Sequence, residues 1–500
     1  MAIKKYDATK DNTITNGFGL NISTRKTGSN MGASDILEVY SVFGQQTTSS
    51  AELSRVLIEF PISSVAADRT AGNIPASGSV NFFLRMFNAR HSEQLPRDFT
   101  LNVMAVSQSW QEGTGLDMEG YSDVTEDLIE GSNWVNREQS TVWGSVGGEF
   151  HSSSYVSGTT MPNYTYTFSA GTEDILVDVT DAVEEWVNGN QTNYGFGIFL
   201  TASQEAYMSN SSGQAVGSIL HNTEGTQKSF YTKRFFSRTS EFFFKTPSIE
   251  ARWDSRVLDD RGYFFSSSSM APTADNLNNL YLYNYIRGRL VDIPNTETIT
   301  INLYASTSGS PTGASLASAT ASKIKTGVYE TQLSINTTSS ILHDVWSGSV
   351  GGVYKTGSVT VNNFNDDSVL LSDDYSQFTT KIVNLKSRYS NDETARFRVF
   401  SRPRNFKPTI YTVASTDIQK LIIPSASFEI KRTIDNEVVI QNSTGSSTQH
   451  TFLSYDNSGS YFDLDMSLLE PGYMYAMKLF FYSSQGWREQ EEEFNFRVEK

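Results

Sequence analysis

The stretch Ile299-Thr300-Ile301-Asn302-Leu303-Tyr304 alternates apolar and polar residues. Successive side chains of a β-strand point to opposite faces, so Ile299, Ile301 and Leu303 would share one face. The same alternation recurs at residues 426–431 and 494–498. Short alternating runs separated by turn residues are typical of antiparallel sandwiches and barrels. The pattern therefore predicts an all-β fold.

The composition agrees with this prediction and excludes several classes of site. The 500 residues include 31 Phe and 24 Tyr, whose side chains suit a half-buried pleated surface. There is no Cys, so disulfides, a thiolate nucleophile and cysteine-ligated metals are excluded. The formal net charge of −16 disfavours nucleic acid and anionic membrane surfaces as partners.

The first residues, Met1-Ala2-Ile3-Lys4-Lys5-Tyr6-Asp7, have no apolar run behind the lysines. A secretory signal peptide needs such a run, and a membrane-spanning helix needs about 18 consecutive apolar residues. We therefore expect no signal peptide and no membrane insertion. If the protein acts outside a cell, a route other than Sec-type secretion would deliver it, and lysis of a host is one such route.

Residues 178–189 break the β pattern. The apolar residues with i, i+4, i+7 spacing are Val179, Val183 and Trp186. Thr180 or Asp181 would cap the start of a helix, and Gly189 would end it in a left-handed conformation. The spacing predicts one short helix that packs Trp186 against a sheet.

Two polar stretches divide the chain. Residues 254–270 and 362–376 are rich in acidic residues and Ser, as linkers between domains often are. They predict three domains, at residues 1–255, 256–375 and 376–500.

Four segments of the first domain resemble the DNRLRE-type domain family, and they occur in the order of that family. They are residues 54–60 (Ser-Arg-Val-Leu-Ile-Glu-Phe), 109–113 (Ser-Trp-Gln-Glu-Gly), 178–196, and the two closing stretches 236–240 and 247–253, which count as one segment. The resemblance implies a jelly-roll sandwich related in shape to carbohydrate-binding modules. Relative to the family, residues 141–167 form a long polar insertion.

Within this domain the residues themselves favour structural roles. Trp110 and Trp186 are expected in the core, because large aromatic side chains dominate the packing of such domains, with a sugar-stacking platform as the alternative. Arg55 and Arg238 are expected to brace the rim through ion pairs. We expect Gly189 and Gly195 to serve turn geometry.

The C-terminal half resembles immunoglobulin-like modules at residues 327–329, 341–346 and 358–361. Residues 451–473 resemble segments of structural proteins of tailed bacteriophages, particularly marine ones. These resemblances imply two smaller immunoglobulin-like β-sandwiches after the jelly roll, in a component of a phage particle.

The sequence matches no catalytic or cofactor motif. It contains no HExxH pair, no GxSxG elbow and no phosphate-binding GxxxxGK[ST] loop. The five His residues, at positions 91, 151, 221, 343 and 450, are widely separated. We therefore expect no enzymatic activity, no cofactor and no metal site, with each His on the surface or in a strand.

Clustered carboxylates are the remaining candidates for a metal, because Ca²⁺ prefers several oxygen ligands. The pairs are Asp259-Asp260, Asp366-Asp367, Asp373-Asp374 and Asp463 with Asp465. None lies in an EF-hand pattern, so we expect solvated loop charges at each of them.

The leading hypothesis is a non-enzymatic structural protein of a tailed-phage virion, in the tail, baseplate or collar region. It would be assembled in the host cytoplasm and released by lysis. Its partners would be other virion proteins and copies of itself in a symmetric homo-oligomer. The basic residues Arg402, Arg404 and Lys407 would face an acidic neighbouring subunit rather than DNA.

An alternative hypothesis is a carbohydrate-binding host-adsorption protein, either an adhesin or a depolymerase-associated module. Aromatic rings that are apolar with a polar tip suit contact with a host surface glycan. The candidates in the polar insertion, all expected to be exposed, are Trp143, Tyr155, Tyr164 and Tyr166. A third hypothesis is a capsid decoration protein, which its location on the particle would distinguish.

Overall fold

A computed structural model gives the fold of the chain. Its described residues form two compact units, Ala2–Trp253 and Asp254–Lys500. The residues that the structure describes are 2–19, 24–44, 51–90, 96–116, 130–209, 219–294, 297–305, 313–362, 378–404, 410, 413, 421–445, 448–483 and 486–500.

The N-terminal unit is a sandwich of two antiparallel sheets. Its strands are β1 (Ile3–Asp7), β2 (Lys10–Thr15), β3 (Ile36–Val42), β4 (Glu52–Glu59), β5 (Val80–Met86), β6 (Phe99–Ala105), β7 (Asn136–Glu138), β8 (Thr141–Val142), β9 (Asn163–Phe168), β10 (Ile175–Asp178), β11 (Phe196–Leu200), β12 (Phe230–Phe236) and β13 (Ser248–Trp253). The four-stranded sheet has the order β1-β13-β5-β10. The seven-stranded sheet has the order β12-β3-β4-β11-β6-β9, with β2 paired to β4. Strands β7 and β8 form a separate hairpin.

The main core of this unit lies between the two sheets, because each sheet contributes one apolar face. Phe82 and Leu84 of β5 face inward, and Leu84 pairs in register with Ile249 of β13. From the larger sheet, Phe99 of β6 stacks on Phe168 of β9 with ring centroids 4.7 Å apart. Stacked aromatic pairs add to the free energy gained from burial alone. This core holds the sheets together.

A second apolar cluster covers the outer face of the larger sheet. Ile14 of β2 and Leu57 of β4 point away from the main core and belong to this cluster. Loop residues supply three buried indole rings, those of Trp110, Trp134 and Trp143. The outer face of this sheet is therefore an internal surface of the unit rather than an open groove.

The helix predicted within residues 178–189 is present as Thr180–Val187. Trp186 packs into the main core beside Phe196, with ring centroids 4.9 Å apart. Gly189 follows the helix with a φ of 72°, as its position predicts. The i, i+4, i+7 spacing thus identified both the helix and its buried face.

The predicted capping of this helix is wrong. Val179 occupies the N-cap position and makes no capping bond. The first-turn N–H groups donate to other side chains, that of Thr180 to Asp178 at 3.0 Å and that of Ala182 to Tyr164 at 3.1 Å. The Thr180 hydroxyl donates to Asp178 at 2.5 Å and accepts from the backbone N–H of Phe82 at 2.9 Å. Thr180 therefore anchors the helix to the four-stranded sheet instead of capping it.

A second helix corrects the expectation of one short helix. We number the helices α1 (Ile62–Ala71) and α2 (Thr180–Val187). The buried residues of α1 are Ile62 and Val65, so its sequence lacks the apolar stripe that marks α2. Arg69 of α1 pairs with Glu184 of α2 at 2.6 Å. Tertiary contacts of this kind, rather than a periodic pattern, fix α1.

The C-terminal unit contains two sandwiches. The first has the strands β14 (Phe264–Phe265), β15 (Asn278–Tyr283), β16 (Tyr285–Ile286), β17 (Arg289–Leu290), β18 (Ile299–Tyr304), β19 (Ala317–Thr320), β20 (Ser322–Lys325), β21 (Val328–Leu333), β22 (Ile341–Gly348) and β23 (Gly352–Asn362). The second has β24 (Phe378–Ile382), β25 (Arg388–Ser390), β26 (Thr394–Pro403), β27 (Ala426–Arg432), β28 (Glu437–Ile440), β29 (Ser454–Asp456), β30 (Gly459–Asp465), β31 (Met474–Ser483) and β32 (Gly486–Glu499).

Each of these sandwiches has two sheets. The first consists of β14-β23-β22-β18-β19 and β15-β21-β20, with a separate β16-β17 hairpin. The second consists of β24-β26-β30-β29 and β25-β32-β31-β27-β28. The strand pairs are antiparallel except β14 with β23 and β25 with β32. The predicted boundary between residues 375 and 376 falls in residues 363–377, outside the described residues.

The alternation that predicts these strands is confirmed. Ile299, Ile301 and Leu303 are buried in the core of the first sandwich. In the second sandwich, Phe428 of β27 stacks on Phe462 of β30 with ring centroids 4.1 Å apart. The predicted all-β class, built from β-sandwiches, is confirmed. No helix in the described part of the chain is long and apolar enough to cross a membrane.

We expect Gly195→Ala to destabilise the N-terminal unit by more than about 2 kcal/mol. Gly195 has a φ of 78°, and a Cβ atom there would lie 1.9 Å from the carbonyl oxygen of Ile58. Gly189 is the matched control, because its φ is also positive but no atom lies within 4 Å of its Cβ position.

Gly189→Ala should therefore cost only about 1 kcal/mol, the ordinary penalty of the left-handed conformation. Chemical denaturation of the full chain, followed through the transition of the N-terminal unit, measures both variants. Equal costs would contradict the close approach at Gly195.

Candidate functional site

The segments at residues 54–60, 109–113, 178–196 and 236–253 meet in the folded N-terminal unit. The indole N–H of Trp110 donates to the carbonyl oxygen of Tyr194 at 2.8 Å. The side-chain amide of Asn193 donates to the carbonyl oxygen of Phe60, also at 2.8 Å. These two bonds satisfy polar groups of three of the segments and tie those segments to one another. The segments therefore form a structural framework within this unit.

Arg238 connects the fourth segment to this framework through the predicted ion pair. Its guanidinium makes two hydrogen bonds with Glu112, from Nε at 2.8 Å and from Nη2 at 2.6 Å. Two parallel bonds of this kind are the strong geometry for an Arg–carboxylate pair. The prediction that Arg238 serves an ion pair is confirmed.

Arg55 also forms an ion pair, but it lies inside the unit rather than at the rim. Its guanidinium donates to both carboxylate oxygens of Glu205 at 2.9 Å. Its charge lies over the ring of Phe199, 4.6 Å from the centroid. Burial raises the pKa of Glu205 more than Arg55 lowers it. Because Arg55 also lies over the ring of Trp134, the pair belongs to the apolar cluster that covers the outer face of the larger sheet.

Asp11 is the most unusual carboxyl group of this framework. It is fully buried, and its Oδ1 has no hydrogen-bond partner among the described residues. Its Oδ2 accepts from the backbone N–H of Arg238 at 2.7 Å. Burial raises the pKa of Asp11 to about 7, and the neighbouring Glu112 contributes to the rise. The fold therefore favours the protonated form of Asp11.

We expect this preference to make the stability of the N-terminal unit depend on pH. Between the unfolded pKa, about 4, and the folded pKa, the native state binds more protons than the unfolded chain. The free energy of unfolding should therefore fall as the pH rises from about 4 to about 7.

Asp11→Asn should remove this contribution, because an amide has no proton to lose. Chemical denaturation of both proteins across this pH range gives the two profiles. Profiles that run parallel would contradict the assignment, whereas a flatter profile for the variant supports it.

The predicted glycan residues do not form one exposed platform. Trp143 is 4% exposed, and its indole N–H donates to the carbonyl oxygen of Asn133 at 2.9 Å. The expectation that Trp143 is exposed is wrong, because its ring fills the cluster over the larger sheet. Loss of binding in a Trp143→Ala variant would therefore reflect loss of packing.

Tyr164 and Tyr166 belong to the edge strand β9, and Tyr155 lies in the segment before it. Tyr155 is 38% exposed, and its hydroxyl donates to Glu185 at 3.2 Å. The Tyr164 hydroxyl accepts from the backbone N–H of Ala182 at 3.1 Å. Tyr166 is half-buried against the main core. Of the four predicted residues, only Tyr155 presents an exposed ring.

The prominent exposed aromatic feature is one that the sequence analysis missed. Phe242 is 49% exposed and Phe243 is 61% exposed, although both are large apolar residues. The ring of Phe242 packs edge-on against Phe236, and Phe243 packs on Phe244. We call Phe242, Phe243 and Phe244 the aromatic knob. Three consecutive Phe between the two closing segments were its signal in the sequence.

In the C-terminal unit, residues 257–261 bind the second sandwich through the backbone. The N–H of Asp259 donates to Tyr455 O, and the N–H of Tyr455 donates to Val257 O, both at 3.0 Å. These bonds surround a parallel bridge between Leu258 and Tyr455. The Tyr455 hydroxyl also donates to Asp260 at 2.7 Å. The segment thus extends the sheet edge at β29.

The same segment binds the first sandwich. Asp260 Oδ2 accepts from the backbone N–H of Asn279 at 2.7 Å. The Arg261 guanidinium makes two hydrogen bonds with the fully buried Asp344, at 2.8 and 2.7 Å. Asp344 also accepts from the indole N–H of Trp346 at 2.8 Å. We call residues 257–261, with Asn279, Asp344 and Tyr455, the junction.

Burial and charge compete at the junction. Burial opposes the charge of Asp344, but the hydrogen bonds and charge of Arg261 outweigh it and lower its pKa. At Asp259 burial dominates and raises the pKa to about 6. An apolar cluster of Val257, Tyr281, Val328 and Tyr461 lies between the two sandwiches. The junction is therefore a small core of its own.

Several predictions about polar stretches are corrected here. Asp259 and Asp260, within the polar stretch at residues 254–270, are buried rather than solvated. Asp463 pairs with Arg396 at 2.7 Å, and Asp465 accepts from the N–H of Ser467. Asp366-Asp367 and Asp373-Asp374 lie outside the described residues. Within the described ranges, no group of three His, Asp or Glu could hold a metal ion.

The remaining candidate residues occupy ordinary positions. Arg404 pairs with Glu491 of its own chain at 3.1 Å, and Lys407 lies outside the described residues, as does His91. The expectation that each His lies on the surface or in a strand is wrong for His450, which is buried in a turn with its Nδ1 within 2.6 Å of the Thr448 hydroxyl. His151, His221 and His343 are half-buried.

We expect Arg261→Ala to destabilise the C-terminal unit by about 3–5 kcal/mol, because it leaves the buried Asp344 without its cation. Arg388→Ala is the control, because Arg388 forms an exposed pair with Glu499. Such a pair contributes about 1 kcal/mol or less. Denaturation of the full chain, followed through the C-terminal transition, measures both. If both variants lose only about 1 kcal/mol of unfolding free energy, the junction does not stabilise the C-terminal unit as described.

No family model matches the chain, and no curated protein matches it. The fibronectin(III)-like modules of Clostridium thermocellum CbhA are 12% identical, cover 49% of this chain and 92% of their own, and give a TM-score of 0.15. The FN1-FN3 domains of chicken CNTN1 are 9% identical, cover 54% of this chain and 82% of their own, and give a TM-score of 0.15.

The Yersinia pseudotuberculosis adhesin InvE is 11% identical, with 47% of this chain and 56% of that chain covered and a TM-score of 0.14. At such low identity and structural overlap, these three similarities carry no argument about what this chain does.

Proposed function

We propose that this chain is a non-enzymatic structural component of a tailed-phage particle, in its tail, baseplate or collar region. It acts through contacts with copies of itself and with neighbouring virion proteins around a symmetry axis. The phage assignment rests on the resemblance of residues 451–473 to phage structural proteins. In this proposal the chain is assembled in the host cytoplasm and leaves by lysis.

The observation that supports an assembly role most strongly is the junction. One short segment is hydrogen-bonded to both C-terminal sandwiches, through Tyr455 on one side and Asn279 and Asp344 on the other. Two sandwiches joined in this way hold the surfaces at their outer ends at a fixed separation. A protein that links neighbours in a particle needs such a fixed separation, whereas binding of a small ligand does not.

The aromatic knob supplies a contact of the kind that assembly requires. Exposed Phe side chains are costly in water, and aromatic residues are enriched in the centres of protein interfaces. Phe242 and Phe243 are exposed on the N-terminal unit, and the ring of Phe236 packs against that of Phe242. In the proposal the knob is buried against another virion subunit.

The experiment is quantitative mass spectrometry of purified particles from a phage that encodes this chain. The proposal predicts the chain at a fixed whole-number ratio to the other structural proteins. Its absence from the particle, or a trace amount that varies between preparations, would overturn the proposal.

A second arm tests the knob. Phe243→Ser should reduce incorporation roughly tenfold, because the loss of an aromatic anchor commonly costs more than about 1.4 kcal/mol. Met270→Ser is the control, since Met270 is 93% exposed and lies outside the knob. Equal incorporation of the two variants would exclude the knob as a contact.

A further inference from the structure

The most unusual buried cation of the chain is Lys233, on the edge strand β12. It is 1% exposed. Its ammonium donates to the side-chain oxygen of Asn88 at 2.6 Å and to the carbonyl oxygens of Gly171 and Glu173, each at 2.9 Å. No carboxylate accepts these bonds, so the charge is held by neutral oxygens. A buried lysine in such surroundings is a potential nucleophile.

Burial shifts Lys233 towards the neutral amine, whereas its hydrogen bonds and two neighbouring aromatic rings favour the ammonium. Its nitrogen lies 4.7 Å from the ring centroid of Phe168 and 5.0 Å from that of Phe235. Burial lowers the pKa of Lys233 to about 8, against the opposing charges of Asp174 and Glu173. Roughly a tenth of the molecules then carry a neutral amine at pH 7.

The carboxamide of Asn88 is held in place beside this amine. The backbone N–H of Asn88 donates to Asp174 at 2.7 Å. An isolated antiparallel bridge pairs Asn88 with Phe235, two residues from Lys233 along β12. The neighbouring N–H of Ala89 donates to the carbonyl oxygen of Arg234 at 2.9 Å. The reacting groups are thus fixed by backbone bonds on both sides.

We propose that Lys233 and Asn88 form an intramolecular isopeptide bond. The nitrogen is hydrogen-bonded to the carboxamide oxygen, so it lies close to the carbon that bears this oxygen. Holding two reacting groups in such a position can replace much of the entropic cost of an amide-forming reaction. An irreversible reaction of this kind accumulates even when only a minority of molecules carries the neutral amine.

The reaction is balanced without any co-reactant. Lys233 first loses one proton to solvent, the lone pair of the neutral Nζ attacks Cγ of Asn88, and the bond from Cγ to Nδ2 then breaks. Nδ2 leaves as ammonia with the two protons that it carried and one from Nζ, and the ammonia takes up a proton from solvent to become ammonium ion. The carboxylates of Glu173 and Asp174 stabilise the charge that moves to the leaving nitrogen. Nothing is oxidised or reduced.

The bond would close the sandwich covalently. Asn88 follows β5 of the four-stranded sheet, and Lys233 lies on the edge strand of the seven-stranded sheet. The two residues are separated by 145 positions in the sequence. A cross-link there would prevent β12 from separating from the sandwich under load. Formation of the isopeptide bond does not depend on the phage assignment. A negative result for one proposal therefore leaves the other untouched.

Intact-mass spectrometry of the denatured full-length chain tests the proposal, after incubation of the purified protein at about pH 9, where Lys233 is mostly neutral. The expected mass is about 17 Da below that of the sequence, because one ammonia is lost. Tryptic digestion should give one branched peptide that joins the segments around Asn88 and Lys233, with no cleavage after Lys233. The full sequence mass, without a branched peptide, would overturn the proposal.

Variants assign the bond to these two residues. Asn88→Ala and Lys233→Arg should each restore the full sequence mass. Lys228→Arg is the matched control, because Lys228 lies on the surface before β12, and it should retain the loss. If Lys233→Arg still loses ammonia, the assignment is wrong. Should a variant fail to fold, the mass and branched peptide of the unmodified sequence decide the question alone.

Discussion

The buried ion pair of Asp344 with Arg261 is the constraint on which the C-terminal unit depends. Asp344 is fully buried, and an unpaired carboxylate in that position would cost several kcal/mol. Arg261 reaches it only when residues 257–261 follow the path seen here. That path also brings Leu258 into a backbone bridge with Tyr455. One buried charge in the first sandwich thus determines where the second sandwich is attached.

The N-terminal unit uses buried and half-buried charges in a similar way. Arg55 reaches Glu205 and Arg238 reaches Glu112, and each pair joins segments far apart in the sequence. Lys233 is satisfied by an amide and two carbonyl oxygens instead of a carboxylate. Because each of these groups loses hydration on burial, its partners must be placed at hydrogen-bonding distance in the folded chain. This is the behaviour of a framework, and it favours a chain whose role is to hold its shape.

Much of this fold could be predicted from local sequence, and the reasons for the failures are physical. The strand of Ile299 and the helix of Trp186 follow from the spacing of apolar residues, which can be read directly in the sequence. Helix α1 was missed because it buries few residues and depends on contacts with α2. Trp143 was misplaced because a polar stretch in the sequence does not reveal that its one indole ring fills a distant cluster.

The candidate sites were less accessible to sequence analysis. The Asp259-Asp260 pair has the composition of a solvated loop, and its burial depends on Tyr455, Asn279 and other residues far along the chain. The surroundings of Lys233 include backbone carbonyl oxygens, which no residue type encodes. The aromatic knob could have been found, since three consecutive Phe in a loop are rarely all buried.

The most direct test of a rigid assembly role is the distance distribution between the two C-terminal sandwiches in solution. The chain has no Cys, so Ser322→Cys and Asn495→Cys would place one spin label on each sandwich, at exposed positions of β20 and β32. Double electron–electron resonance on this variant should give a single narrow distribution, because the junction fixes both sandwiches. A broad or bimodal distribution would contradict the account.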